Sequence, residues 1–445
     1  MQALGQKITS LALPEDNCSN TSDGRLSTTR QLRESRIEEA LERTERHLED
    51  EDFHGWDPFD ALCSPICSLP VLRSSRPVRF AFQQVVRRSP WNLRPLLRIG
   101  KRVDPVSLGL YIQGQALRAF VNPESIEIRR DKAEMVLERL AASTSCGFSG
   151  ACWGYPHDWE TRYDSIPAGT PTVVTTGIIA NGLWTAYLAL NSQHARDLLL
   201  SAAEFVMHDL NKIDGDDGAF CWSYSPRDRQ TVLNATLKGS RLLAQAHALG
   251  GSSEMLDSAR RSVNFVIAHQ LPSGAWPYAV GDARQWNDHF HTGYVLECLN
   301  AYRRLSDDRA TDAAIDKGWS YYRKRFFTSD LTPKYYDDRV DPLDATACAQ
   351  AIITSCDFDD AEAALRVAEH AIACLGLSDG SFAYQRRRKR TVRTPFLRWS
   401  TSWMYCALSR LEQAFGCELA SLPLPTAHPR IAVSTGVPLT GTRGG

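Results

Sequence analysis

An all-α fold, an (α/α)6 toroid of helical hairpins with short β-like aromatic loops at one mouth, is predicted by three observations on this sequence. First, a turn rich in glycine or aspartate runs five times into a short aromatic stretch ending in tyrosine: Ser149–Tyr155, Asp217–Tyr224, Ser273–Tyr278, Asp330–Tyr336 and Asp379–Tyr384. The closing tyrosines recur at roughly 50 to 70 residues, which marks one supersecondary unit used repeatedly. Second, between these turns, helical segments that are apolar on every side alternate with segments apolar on one side only. Third, the connectors leading into the all-round apolar segments are long and rich in His, Asp, Arg and aromatic residues. An open helical solenoid is the competing architecture. Its repeats are usually shorter and lack such loops on one face, so closure is expected.

Each element follows in order. Residues 1–33 carry Ser, Thr, Asn and Asp with little apolar content and are expected to be a disordered tail. A helix around Ile37–Leu48 is available to complete a sixth hairpin. Pro105–Phe120 and Asp131–Ala142 form the first inner and outer pair, followed by Val173–Leu190 with Ala195–Leu210. Thr231–Leu249 reads as inner, because Ala235, Leu237, Gly239, Leu242, Leu243 and Ala246 point in all directions. Met255–His269 reads as outer, with Leu256, Ala259, Val263, Val266 and Ile267 on one stripe. His291–Arg304 with Ala310–Phe326, and Ala345–Ser355 with Ala361–Leu375, repeat the alternation; Phe396–Gln413 supplies a last inner helix. Residues 34–417 are therefore expected to form one toroid domain, and residues 418–445, rich in Pro, Thr and Gly, a second tail.

Composition narrows the function. A hydrophobic share of 43% supports a large core, and a net charge of −1 gives no overall drive toward nucleic acid or membrane. No nucleic-acid-binding module is recognisable, so no such partner is expected. Charge is uneven locally: basic residues gather at Arg73–Arg102 and Arg386–Arg398, acids at Glu49–Asp60. Met1–Asn20 lacks the layout of a secretory signal, and no segment approaches roughly 18 unbroken apolar residues. Cys298, Cys348, Cys374 and Cys406 sit among alanines and leucines, where free cysteine acts as a small apolar residue. There is no Cys-x-x-Cys pair. A reduced, cytoplasmic protein without metal or cofactor is expected.

In a closed ring the loops entering the inner helices meet at one mouth, so their polar residues face one another. The run Trp153 to Asp164 holds Tyr155, His157, Asp158 and Glu160 among aromatic rings that suit sugar stacking. A solvated surface loop is the plainer account of it. Asp228 and Asp344 precede inner helices as Asp288 does, and Asp344 alone is already a good N-cap. Acids near several helix tips are able to place two carboxylates across a glycosidic bond. In Trp286–Tyr294, His291 beside Asp288 suits proton transfer better than a His289/His291 metal site, whose spacing splits the two rings. Tyr336 is the other candidate proton carrier. Gln350, one and a half turns inside its helix, is expected to line the cavity. Arg386 and Arg398-Trp399 offer cations for a carboxylate or phosphate, although a charge run is more often a solvated face. Trp153, Tyr224, Trp276 and Tyr384 are the expected stacking walls.

Cys152 to Trp159, Gly169 to Val174, Asp288 to Gly293, Pro333 to Tyr336 and Arg398-Trp399 resemble the six-hairpin glycosidase-like proteins of bacterial polysaccharide biosynthesis clusters. That group is akin to the toroidal domain of heparosan glucuronyl 5-epimerase and to VpsJ-type exopolysaccharide proteins. The resemblance runs from about Trp56 to Leu411. It implies a toroid acting on, or shaping, a glycan or lipid-linked oligosaccharide, without fixing the reaction. The sequence departs from the group at Thr346, where histidine is common, so no base is expected there. Two other features are similar to triterpene cyclases: Gln270-x-x-x-Gly274-x-Trp276, and Asp214-Gly-Asp216-Asp217. Acidic residues are ordinary in turns, and one copy of the Gln/Trp pattern falls short of several. The leading expectation is acid/base chemistry at a uronic acid or glycosidic bond (epimerisation, elimination or hydrolysis). A catalytically idle glycan-binding assembly factor and a class II terpene cyclase-like toroid are the alternatives.

Overall fold

The computed structural model describes residues 20–161 and 164–416. Six inner helices form the ring: α4 (Pro105–Val121), α6 (Val173–Leu190), α8 (Leu233–Ala248), α10 (His289–Ser306), α12 (Ala345–Asp357) and α14 (Trp403–Gly416). Each packs on the next, and α14 packs on α4, so the ring closes. Outside them lie α5 (Ile126–Ala142), α7 (Gln193–Asp209), α9 (Ser253–Ala268), α11 (Asp312–Arg325) and α13 (Ala361–Leu375). The sixth outer helix is α1 (Asn20–Asp50), which lies against α14 and joins the two ends of the chain in one hairpin. α1 starts inside the stretch expected to be a tail. Arg33 explains part of this, because its guanidinium donates to both oxygens of Glu369 on α13 at 2.8 and 2.9 Å. The rest of the N-terminal tail, and the C-terminal one, lie outside the described residues.

The inner helices are apolar all round because they face neighbours on both sides. α6 is long and apolar enough by composition to cross a membrane, with a mean hydropathy of 1.4, but 72% of it is buried in the ring. It approaches α4 closely at two glycines, where a Cβ on Gly182 would sit 2.3 Å from the carbonyl oxygen of Gly109. The N-termini of the inner helices all point to one mouth. Asp104, Thr172, Asp288 and Asp344 cap α4, α6, α10 and α12, each accepting from a first-turn amide. The last inner helix opens instead with a π-helical turn, Leu397–Ser402.

The expected β-like loops are short antiparallel pairs at this mouth, such as Trp159–Glu160 with Ser165–Ile166 and Asp344 opposite Gln385. Two of the repeat tryptophans close a helix end. Trp153 Nε1 donates to the Leu140 carbonyl at 2.9 Å and Trp276 Nε1 to the Val266 carbonyl at 3.0 Å. Both carbonyls belong to the last turn of the preceding outer helix, where intrahelical partners run out. Residues 51–104 break the hairpin pattern. They carry α2 (Pro70–Ser74) and α3 (Arg76–Arg88), with a small core of Ala61, Val86 and Ile99, and form one side of the mouth.

Candidate functional site

At the mouth lies a crater of about 500 Å³. Its chemistry centres on the start of α10. Asp288 uses Oδ1 to accept from the His291 amide at 2.9 Å, the N-cap bond, and Oδ2 to accept from the His291 ring Nδ1 at 2.6 Å. Trp286 Nε1 adds a third bond to Oδ2 at 3.2 Å. Asp288 is buried, whereas the His291 side chain keeps 24% of its surface open and lines the crater. With Nδ1 held by a carboxylate, Nε2 is the nitrogen left to exchange a proton with a ligand. The aspartate that caps the helix thereby also fixes the His291 ring.

Aromatic rings wall the crater. Tyr278 meets the His291 ring edge-on with centroids 4.6 Å apart and stacks on Trp286 at 5.1 Å. Tyr155, Tyr224, Tyr294, Tyr336, Trp159 and Trp399 complete the wall. The Tyr155 and Tyr224 hydroxyls are hydrogen-bonded to each other. Burial pushes the Tyr336 hydroxyl up from its ordinary value, with the Asp288 charge adding to it, so this group stays protonated. Tyr336 reaches Asp288 through the backbone, since the two residues form an isolated antiparallel bridge.

Arg398 lies at the crater wall but is not free to hold an anion. Its guanidinium donates twice to Asp57 Oδ2, at 2.7 and 3.0 Å, and stands 3.4 Å from Asp104 Oδ2. It also covers the Tyr155 ring at 4.4 Å. His157 stacks on Tyr155, and its Nε2 is 3.5 Å from Asp57 Oδ1. Burial pushes the His157 imidazole down to about 4, despite the opposing pull of Asp57. Burial likewise pushes the Asp104 carboxyl up to about 6, against the attraction of Arg398. These groups hold residues 51–104 to the ring.

The remaining expected site residues divide clearly. Asp158 is exposed and accepts from the Ala168 amide at 2.8 Å, outside the crater lining. Asp228 ties its own loop, accepting from Tyr224 N, Ser225 Oγ and Gln230 N at 3.1, 2.6 and 3.0 Å. It therefore does not match Asp288. Trp153 and Trp276 are buried in the hairpins and form no stacking wall. Asp344 caps α12 and accepts from Gln385 Nε2 at 2.7 Å; burial pushes its carboxyl up to about 6. Gln350 is buried along the ring axis, donating to Glu297 at 3.3 Å and to Thr354 at 3.0 Å, below the crater. Arg386 is exposed and donates to Cys374 Sγ at 2.9 Å. Tyr384 stands behind the wall and accepts from Arg87 at 3.2 Å. Thr346 donates to the Trp399 carbonyl, which fixes the wall rather than providing a base.

His289 and His291 diverge. His289 is buried beside Tyr322, 3.2 Å from its hydroxyl, and burial pushes its imidazole down to about 3. Among the described residues no group of three His, Cys, Asp or Glu side chains is placed to hold a metal ion. The cyclase-like features lie elsewhere: Asp214–Asp217 is an exposed turn, and Gln270 Nε2 staples the Gly274 and Ala314 carbonyls at 3.1 and 2.9 Å. Sequence reasoning did not single out Tyr278 or Arg87, and it noted Glu160 only as part of the Trp153–Asp164 run. Tyr278 closes the third repeat, so the repeat itself was its signal. Glu160 lines the crater but is paired with Arg76 and Arg79 at 3.3 and 2.6 Å. Arg87 covers the Phe59 ring at 4.4 Å and, among the described residues, pairs with no carboxylate.

No family model and no curated protein matches the chain. Solved structures do. A cellobiose 2-epimerase from Bacillus thermoamylovorans superposes with a TM-score of 0.54 at 10% identity, over 71% of this chain and 87% of that one. A family 76 alpha-mannanase from Bacteroides thetaiotaomicron gives 0.53 at 13% identity, over 69% and 86%. An unsaturated glucuronyl hydrolase specific for heparin gives 0.51 at 11%, over 71% and 87%. At these identities the likeness establishes the fold alone, an (α/α)6 toroid of helical hairpins.

Proposed function

We propose that this chain is a carbohydrate-active enzyme in which His291, held by Asp288, moves a proton on an anionic sugar unit of a polysaccharide or lipid-linked glycan. The observation that carries the reading is the Asp288–His291 pair opening on an aromatic-walled crater. Its volume of about 500 Å³ is that of an ordinary small-ligand site. The crater lies at the same mouth as the inner-helix N-termini, whose partial positive charge favours an anion. Arg87 and Arg88 line it without carboxylate partners among the described residues, and they take the anion-holding role that Arg398 and Arg386 do not fill.

The favoured chemistry is proton abstraction next to a carboxylate or carbonyl. His291 Nε2 takes the proton, the C–H electron pair moves toward the acidic group, and a tyrosine hydroxyl, Tyr336 or Tyr278, returns a proton to the other face. The balance is epimerisation once solvent has carried the proton from His291 to the tyrosinate; loss of a β-oxygen that takes the tyrosine proton as it leaves would instead be elimination. Hydrolysis is less well served. It needs two working carboxylates, and among the described residues only Glu160 and Asp288 line the crater, both already bonded. Similar solved toroids include sugar epimerases, which supports the reading without deciding it.

The test is product analysis on uronic-acid-containing oligosaccharides and on neutral disaccharides. Turnover of the acidic set, abolished in His291→Gln, is expected. Binding without turnover, unchanged in His291→Gln, would make the chain a glycan-binding assembly factor instead.

A further inference from the structure

We propose that the outer face of residues 61–103 docks on the surface of a lipid bilayer carrying anionic headgroups. Two independent properties coincide there. The first is charge: no Asp or Glu occurs between Asp60 and Asp104. Arg76 and Arg79 pair with Glu160, Arg94 with Asp60 and Lys101 with Glu51. Arg73 and Arg88 are exposed and Arg98 is half-buried; among the described residues none of the three has a carboxylate partner.

The second is apolar exposure. Most of the large apolar side chains exposed among the described residues fall in this one stretch, including Val71 at 66%, Val85 at 63%, Trp91 at 75% and Leu96 at 81%. They are held in place. Gln83 donates to the Glu160 carbonyl at 3.0 Å, Arg94 bonds Asp60 at 2.8 and 2.9 Å, and Ser64 Oγ bonds the Leu97 carbonyl at 2.7 Å. α3 is two-faced: Phe80, Gln84 and Arg87 line the crater, whereas Val78, Ala81 and Val85, at i, i+3 and i+7, face outward.

A basic surface alone would be satisfied by water, and an apolar patch alone by another protein. The two together, with a tryptophan, match a headgroup layer above hydrocarbon. A nucleic acid would meet the arginines and leave the valines wet. A symmetric second copy would set this basic face against itself. Docking here lays the crater mouth beside the headgroups, because α3 belongs to both surfaces. The proposal stands whether or not the crater is catalytic.

The test is co-sedimentation of the full chain with vesicles of phosphatidylcholine, with and without phosphatidylglycerol. Binding is expected only with phosphatidylglycerol, falling as salt is raised. Trp91→Ser with Leu96→Ser, and separately Arg73→Glu with Arg98→Glu, should each weaken it by at least about tenfold at unchanged thermal stability. No binding by the parent chain, or binding indifferent to both pairs, overturns the proposal. Light scattering that shows the first pair converting an oligomer to a monomer, without vesicle binding, assigns the face to a second copy and also overturns it.

Discussion

The crater has two histidine–aspartate pairs on its walls, and they have opposite characters. His291 sits 2.6 Å from Asp288 with a quarter of its side chain open, on a helix N-terminus that needs only one cap. His157 sits 3.5 Å from Asp57, is buried under Tyr155, and shares its carboxylate with Arg398. The first pair leaves a ring nitrogen facing the cavity. The second is a charge-balanced brace between the ring and residues 51–104. Residue type therefore does not distinguish an open pair from a buried brace here; access and the number of competing partners do.

The comparison breaks most sharply at the first pair. Asp288→Asn and His291→Gln should each lower sugar turnover by about a thousandfold or more, while thermal unfolding stays close to that of the parent for His291→Gln. Asp57→Ala should do the reverse. It leaves Arg398 buried with only Asp104 nearby, at a cost of about 3 kcal/mol of stability by chemical denaturation. An Asp57→Ala chain as stable as its parent would show that the brace is not one.

The same contrast predicts a pH signature. His157 has a folded-state value of about 4, below the ordinary 6.5, because burial disfavours its charged form. The unfolded chain then binds more protons between these values. The stability linked to His157 is therefore complete above pH 6.5 and is lost as pH falls toward 4. His157→Gln should remove on the order of 3 kcal/mol of that acid-side loss. The smallest effect is expected at Arg87. Arg87→Gln should raise the KM for an acidic sugar about tenfold and leave kcat and neutral-sugar binding unaltered.

Much of this was readable beforehand. Helices apolar all round had to be inner, and the hairpin made from both chain ends followed from counting them. The dyad was legible too, because a cap aspartate three residues before a histidine puts both on one turn. What sequence could not show was competition. Asp228 and Asp288 look alike before their helices, but Asp228 turns its oxygens to its own loop amides. Trp153 and Trp276 look like sugar platforms, yet their indoles close the preceding outer helix. Arg398 reads as a free cation until Asp57, 341 positions away, is folded against it. Such long-range pairing leaves no local spacing to read.

The central claim is that His291, poised by Asp288, exchanges a proton with a sugar carbon. Incubation with an acidic oligosaccharide in deuterium oxide, followed by proton NMR of the sugar, addresses it directly. Deuterium entering one ring position with the parent chain, and not with Asp288→Asn or His291→Gln, is the predicted result. Turnover of the same sugar with no deuterium bound to carbon would contradict it.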